Sequence, residues 1–372
     1  MARKALGPAT LEVVQAVRGM ADRAMVVGVS GGADSLALAF AVGYVGRRQE
    51  LPHAAVTVDH GLQTGSTGRA RRVHDQLLGL GYTDVVIRRV EVPRHSGPEA
   101  DARTARYRAL ESEAAVRDAD LLLGHTLDDQ AETVLLGLAR GSGTRSLAGM
   151  ARRSGRRVRP LLGLRRDTTR ACCMELGLEV WEDPHNVDPR FARSRLRNRL
   201  MPPLEDDLGP GVAEALARTA DLARADADLL DRLADELYAE ALGAARTDAT
   251  TCSPGSSKDR DGSIGDASTG VLSSSKDRYA THGVASDRDP EGSADTAPLD
   301  CATLEAADPA LRSRVIKRWL TDCGATDSTR QHVGAVELLI IDWHGQGEVR
   351  LPGIGVRRQD GALVVSSPKE KR

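Results

Sequence analysis

The chain has 372 residues, 41% of them hydrophobic and 28% charged, which excludes wholesale disorder or a fibrous repeat and leaves room for two or three domains. Its 51 Lys and Arg against 53 Asp and Glu give a formal charge of -2, so no single-sign field covers the whole molecule. Aromatics are only 3%, too few for base stacking along an extended single strand.

Residues 1 to about 205 alternate short apolar runs with amphipathic ones, the pattern of an α/β domain built on a mostly parallel sheet. Strands are predicted at Met25–Val29, Ala54–Val58, Val85–Val90, Leu121–Leu123 and Leu178–Trp181. Helices are predicted at Leu36–Val45, Thr67–Leu80, 99–118, 128–139 and 166–176. Strands this short and this rich in Val, Ile, Leu and Ala suit a sheet covered on both faces. A long helical stretch follows over about 211–245, within a segment 206–246, its stripe formed by Val212, Leu216, Leu222, Leu229, Leu233 and Leu237. Thr247 to Pro298 is rich in Ser, Gly, Asp and Thr and repeats the phrase Ser-Ser-Lys-Asp-Arg at 256 and 274; it reads as a disordered insertion. From Leu299 to about 367 the pattern is globular again, with helix faces through Leu311–Leu320 and Val333–Ile340. Short strands are expected there at Val349–Leu351, Ile354–Arg357 and Leu363–Val365, and 368–372 is a solvated tail.

The five cysteines, Cys172, Cys173, Cys252, Cys301 and Cys323, include no CxxC pair, which argues against a disulfide framework or a structural zinc site. No signal-peptide core and no run near 18 apolar residues is found, so a cytoplasmic protein without a membrane partner is expected. Of the 51 cationic residues only six are Lys and 45 are Arg, which reads as coding bias.

The sharpest signal directly follows the first strand. Ser30-Gly31-Gly32-Ala33-Asp34-Ser35 leads straight into a helix. The glycines permit a tight turn, and the free amides of the helix start, with the Ser30 and Ser35 hydroxyls, make a cradle for phosphate oxygens. Asp34 suits an anion site only if Mg²⁺ accompanies the phosphates, which points to ATP. Neither GxxxxGK[ST] nor GxGxxG is present. Downstream, Asp128, Asp129 and Glu132 open a helix beside His125; Asp129 and Glu132 share a face, while Asp128 points elsewhere. A helix-capping role accounts for one of these carboxylates, and the remaining pair would attract a cationic substrate. Arginines cluster between 140 and 170 and again at Arg190, Arg193, Arg195, Arg197 and Arg199, a pattern suited to phosphate contacts.

The string Ser30–Ser35 resembles the SGGxDS loop of the N-type ATP pyrophosphatases, the adenine nucleotide alpha hydrolase-like PP-loop fold. Val58-Asp59-His60-Gly61-Leu62, Glu99 to Tyr107, Gly124 to Thr133, Arg140-Gly141-Ser142-Gly143, Pro160-Leu161-Leu162, Asp183 to Asn186 and Phe191 to Arg197 follow in order. Together they resemble the tRNA(Ile)-lysidine synthases over most of 24–205, with weaker similarity through 299–365. The sequence departs from the family at His125-Thr126, where His-His is frequent, and at Ser194, where Asn is usual; longer members carry a further C-terminal domain.

The resemblance implies an α/β catalytic domain over 1–205, a helical segment, and a small α+β tRNA-binding domain over 299–367. It implies ATP-dependent joining of L-lysine to C2 of the wobble cytidine of a CAU-anticodon tRNA(Ile), through an adenylated cytidine, with AMP and diphosphate released. ATP is expected on Ser30, Gly31, Gly32, Ala33, Asp34, Ser35 and His60, Mg²⁺ on Asp34, lysine on Asp129 and Glu132, and tRNA on Arg195 and Arg197. Catalytic roles are expected for Asp34, His125, Asp129, Glu132 and Arg193. The residue that deprotonates the attacking amine is left open between His125 and a carboxylate of the pair, and His60 is read either as packing or as a nucleotide contact. DNA is not an expected partner, and a homodimer is left open. The nearest rival, a tRNA 2-thiolation enzyme, would need cysteines at another spacing than Cys172-Cys173.

Overall fold

The computed structural model describes residues 5–61, 65–91, 98–251 and 297–366. The chain divides into two compact units, Met1–Ala227 and Asp228–Arg372. The insertion expected over 247–298 and the tail lie outside the described residues, apart from 247–251, which continue a helix, and 297–298.

The first unit runs α1 (Pro8–Arg18), β1 (Met25–Gly28), α2 (Ala33–Gln49), β2 (His53–Asp59), α3 (Ser66–Gly79), β3 (Val85–Arg89), α4 (Pro98–Val116), β4 (Asp120–Leu122), α5 (Leu127–Ala139) and α6 (Thr144–Leu147). It continues through the hairpin β5 (Arg153–Ser154) and β6 (Arg157–Val158), α7 (Arg166–Leu176), α8 (Ala192–Arg195), α9 (Met201–Leu208) and the start of α10 (Val212–Thr251). The sheet order is β3-β2-β1-β4-β6-β5; all neighbours are parallel except β5, which pairs antiparallel with β6.

Alternation along the strands divides the apolar residues between two layers. Val27, Ala55, Leu122 and Val158 point toward α1, α2, α3 and α7, joining Val13, Leu36, Leu38, Leu77 and Cys172 in one core. Val26, Val56, Leu121 and Leu123 point the other way, onto Leu110 and Ala114 of α4. A sheet buried on both faces explains why its strands read as continuous apolar runs.

One expectation fails. Leu178–Trp181 is not a strand: Leu178 N–H closes the end of α7 on Cys173 O, and Trp181 N–H donates to Gly31 O at 3.0 Å. The sheet edge beyond β4 is filled instead by the β5–β6 hairpin, turned at Gly155.

The second unit packs α11 (Cys301–Ala306), α12 (Pro309–Asp322) and α13 (Arg330–Ile341) with a four-stranded antiparallel sheet. Its order is β7-β10-β9-β8, from β7 (Leu299–Asp300), β8 (Val349–Leu351), β9 (Ile354–Gln359) and β10 (Ala362–Ser366). Trp319, Ile316, Leu339, Val356 and Leu363 form its core with Tyr238 and Ala241 of α10. Among the described residues no helix is long and apolar enough to cross a membrane.

Candidate functional site

The strand order reverses between β1 and β4, because the chain leaves β1 toward β2 on one side and returns to β4 on the other. In open α/β sheets the crevice at such a switch point, beyond the strand C-termini, receives ligands. The loop after β1 carries Ser30–Ser35, and the loop after β4 carries Gly124, His125 and the start of α5. They touch: a Cβ on Gly124 would stand 3.0 Å from the Asp34 carbonyl oxygen and 3.2 Å from Ser35 N.

In the first loop Gly31 has φ +90°, and a Cβ there would meet Val73 Cγ2 at 2.8 Å, so both conformation and space demand glycine. Gly32 is the N-cap of α2 and offers no side chain to the opening amides; the Ser35 N–H donates to Gly32 O at 3.1 Å, which leaves the Ala33 and Asp34 amides for an anion. The Ser35 hydroxyl is spent inside the loop, accepting from Ser30 N–H at 3.2 Å and donating to Gly32 O at 2.9 Å. Ser30 Oγ lies 3.2 Å from it. Ala33 is the first residue of α2, and its carbonyl accepts from Cys173 Sγ.

Asp34 accepts a hydrogen bond from Thr169 Oγ1 and lies 3.7 Å from Arg166 Nε. Burial, with the Asp129 charge behind it, pushes its carboxyl up to about 6 against the pull of Thr169 and the arginines. A carboxylate that loses hydration beside a phosphate cradle suits Mg²⁺, which needs only one or two carboxylates when phosphate oxygens and water supply the rest. The residues present fit that ion.

Thr126 caps α5: its N–H donates to Asp129 Oδ2 at 2.9 Å, in a reciprocal box with the N3 carboxylate. Asp128 does point elsewhere, accepting the Arg166 N–H at 2.7 Å and pairing with Arg165 at 3.2 Å. Asp129 and Glu132 share a face and are ringed by arginine. Arg197 donates Nε to Glu132 Oε1 at 2.8 Å and Nη2 to Oε2 at 3.2 Å; Arg166 Nη2 donates to Asp129 Oδ1 at 2.9 Å. Arg193 Nη2 donates to Thr133 Oγ1 at 3.2 Å, with Nη1 3.7 Å from Glu132. Burial raises the Asp129 pKa, but Arg166, the Thr126 amide, His125 and Arg197 outweigh it and hold the carboxyl below its ordinary value. Arg197, expected on RNA, thus faces the carboxylates, while Arg195 donates to the Pro189 and Arg190 carbonyls on the exposed side.

Around Tyr107 and His125 lies a cationic cluster in which Arg103 and Arg106 have no role assigned from the sequence. Arg103, Arg106 and Arg157 stand 5.1, 5.6 and 5.2 Å from the Tyr107 ring, whose hydroxyl is 3.5 Å from His125 Nε2. Burial, then the Arg159, Arg103 and Arg106 charges, overcome the pull of Asp129 and push His125 down to about 4. His60, at the end of β2, is lowered by burial and by Arg106 and Arg69. Nδ1 of each histidine is buried without a hydrogen-bond partner among the described residues. Two neutral imidazoles with unused nitrogens can accept from, or donate to, a nucleobase edge or a ribose hydroxyl.

Most of the arginine run over 140–170 is paired. Arg153 holds Asp120 at 2.6 Å, Arg156 holds Asp118 at 2.6 Å, Arg157 pairs with Glu111, and Arg165 holds Glu214 at 2.6 Å. Cys172 and Cys173 are buried on α7, and burial pushes the Cys173 thiol up to about 12, which keeps it protonated and unsuited to carrying sulfur.

Residues 8–204 match the PP-loop domain family, and residues 299–364 match the TilS substrate binding domain. A tRNA(Ile)-lysidine synthase of Leifsonia xyli subsp. xyli is 44% identical over 341 residues, covering 91% of this chain and 89% of that one. A protein of the same name from Streptomyces coelicolor is 45% identical over 348 residues, with 92% and 84% covered. Another, from Rhodococcus erythropolis, is 40% identical over 376 residues and covers 98% of each chain.

Proposed function

This chain belongs to the tRNA(Ile)-lysidine synthase family, and from that premise we propose that it joins L-lysine to C2 of the wobble cytidine in the CAU anticodon of tRNA(Ile). The observation that carries this reading is the meeting of phosphate loop and acidic helix at one switch point, with Gly124 packed on the Asp34 backbone.

The reaction has two stages. Cytosine O2 attacks the α-phosphorus of ATP and diphosphate leaves, so that C2 becomes electrophilic. The lysine ε-amine, in its neutral form, then attacks C2; the C2–O2 bond breaks, AMP leaves carrying O2, and the newly bonded nitrogen gives up a proton. Amides at the start of α2 face the developing phosphate charge, which is electrostatic catalysis. Mg²⁺ on Asp34, when bound, neutralises part of that charge. Asp129 and Glu132 attract the cationic lysine, whose ε-ammonium loses a proton before it attacks, and Arg166, which touches both this pair and Asp34, ties the lysine end of the crevice to the phosphate end. His125, neutral at pH 7, or a carboxylate of the pair takes the amine proton. His60 and Arg106 line the nucleoside side. Arg195 and the α11–α13 unit contact tRNA.

Incubation with an unmodified CAU-anticodon tRNA, ATP, Mg²⁺ and labelled lysine tests the proposal. Label in the RNA, with one AMP and one diphosphate per lysine, is expected. AMP formation without label in the RNA would assign the site to another acceptor.

A further inference from the structure

The helix that carries Arg193, Arg195 and Arg197 is not regular. α8 and α9 are joined by a π-turn, Leu196–Leu200, closed by Met201 N–H donating to Leu196 O five residues back. The cause is local. Pro202 and Pro203 have no N–H, so the carbonyls of Asn198 and Arg199 lack their α-helical donors, and the proline rings exclude a straight continuation. A single π-turn amounts to one residue inserted into an α-helix, and such turns gather at functional sites.

Both ends of this interrupted helix are pinned. Upstream, Arg197 grips Glu132 and Arg193 donates to Thr133, both on α5. Downstream, the Glu205 carboxylate accepts from Gly211, Val212 and Ala213 N–H at 2.6, 3.1 and 3.1 Å, capping α10. Ala213 in turn packs on Leu127 and Ala131, again on α5. One side of the helix must therefore serve both ends. At ~100° per residue an unbroken α-helix would set Arg193 about 120° and Arg197 about 80° away from Glu205. One inserted residue brings each within about 20° of Glu205. The π-turn is the difference between a helix that only meets α5 and one that also caps α10, whose Ala213 packs on α5.

We infer that Pro202 and Pro203 are positioning residues for the reaction: by enforcing the π-turn they set the rotational phase at which Arg193 and Arg197 reach Asp129 and Glu132. This rests on the reading that the acidic pair holds lysine. The variant P202A/P203A returns the missing donors and permits an unbroken α-helix. In the full-length enzyme it lowers kcat/KM for lysine about 10- to 100-fold, the scale of a misplaced catalytic group, and leaves ATP affinity by calorimetry nearly unchanged. Deleting the exposed Arg199 in that background removes the extra residue and restores most of the lysine kcat/KM, which a merely structural role of the prolines would not do. Should the double variant not fold, P203A alone, which returns the donor to Arg199 O, carries the same comparison. Unchanged lysine kinetics in the folded variant, or a loss that deletion of Arg199 leaves in place, overturns the inference. Failure of the wild-type enzyme to put lysine into tRNA would instead overturn the reading beneath it.

Discussion

Glu132→Gln separates chemistry from architecture in the acidic pair more cleanly than any change at Asp129. Asp129 also closes the capping box of α5, so its loss would damage the helix as well as the site. Among the described residues Glu132 bonds no backbone amide; its side chain is 2% exposed and faces Arg197 at 2.8 and 3.2 Å, Arg166 at 3.5 Å and Arg193 at 3.7 Å. The amide keeps the shape and one acceptor but removes one of the three negative charges, with Asp34 and Asp129, that balance three guanidiniums. Breaking a fully buried pair costs about 3–5 kcal/mol. The Arg197 and Arg193 side chains are 27% and 40% exposed, so water recovers part of that, and about 2–3 kcal/mol is expected, near the worth of one charge-assisted bond. In a unit of 227 residues this lowers Tm by roughly 4–12 °C. If the pair holds lysine, its KM rises about 10- to 100-fold, since each tenfold is ~1.4 kcal/mol. ATP affinity by calorimetry should stay close to wild type. A fall in Tm with the lysine KM unmoved would refute the lysine pocket and leave the pair a structural clamp; loss of ATP binding would make it part of the nucleotide site.

Gly31→Ala forces a positive-φ residue into a space already held by Val73, costing about 1–3 kcal/mol and weakening ATP binding, whereas Gly143→Ala, at φ -70° with nothing nearby, is silent in the same calorimetric titration. His125 is neutral in the fold down to about 4 against an ordinary 6.5, so acid protonates the unfolded chain first. Its contribution is whole above pH 6.5 and fades toward pH 4, up to about 3 kcal/mol; urea unfolding at pH 7 and 4.5 should show a smaller difference in His125→Asn than in wild type, and an equal one removes His125 from the acid limb. Arg195→Gln lowers the salt slope of tRNA binding by about one, while Arg197→Gln leaves the slope and raises the lysine KM; filter binding across a salt series tells them apart.

Most elements from Met25 to Leu176 were legible because a sheet buried on both faces writes itself as apolar runs closed by glycine, and the phosphate loop because its glycines serve a tight turn, although the Ser35 hydroxyl is used inside that loop. The β5–β6 hairpin was not. Arg-Arg-Ser-Gly-Arg-Arg-Val carries almost no apolar signal, and its arginines are matched by Asp22, Asp118, Asp120 and Glu111, which are distant in sequence. Leu178–Trp181 misled for the opposite reason: an apolar run was used against the phosphate loop and not in a ladder. Of the site residues, Arg166 reads in the sequence as one more member of an arginine run. It sits in the first turn of α7, where a cation opposes the helix dipole, and that local conflict was the signal that an acidic partner waits elsewhere. The phase of Arg193 and Arg197 could not be read from their spacing, because the spacing assumes a regular helix and the two prolines break it.

The Gly124 contact has a consequence for how this enzyme can change. With the Asp34 carbonyl oxygen and the Ser35 nitrogen 3.0 and 3.2 Å from where a Cβ would stand, the loop after β4 and the first turn of α2 lie backbone against backbone. The span from the phosphate amides to the start of α5 is therefore set mainly by main-chain geometry, like two marks on one ruler. Selection for a bulkier base or a longer amine has to act at the rim, through His60, the Arg103–Tyr107 turn of α4 or the α8–α9 arm, each of which reaches the crevice from a separate element. The distances that matter most to the two-stage chemistry are the ones least open to drift.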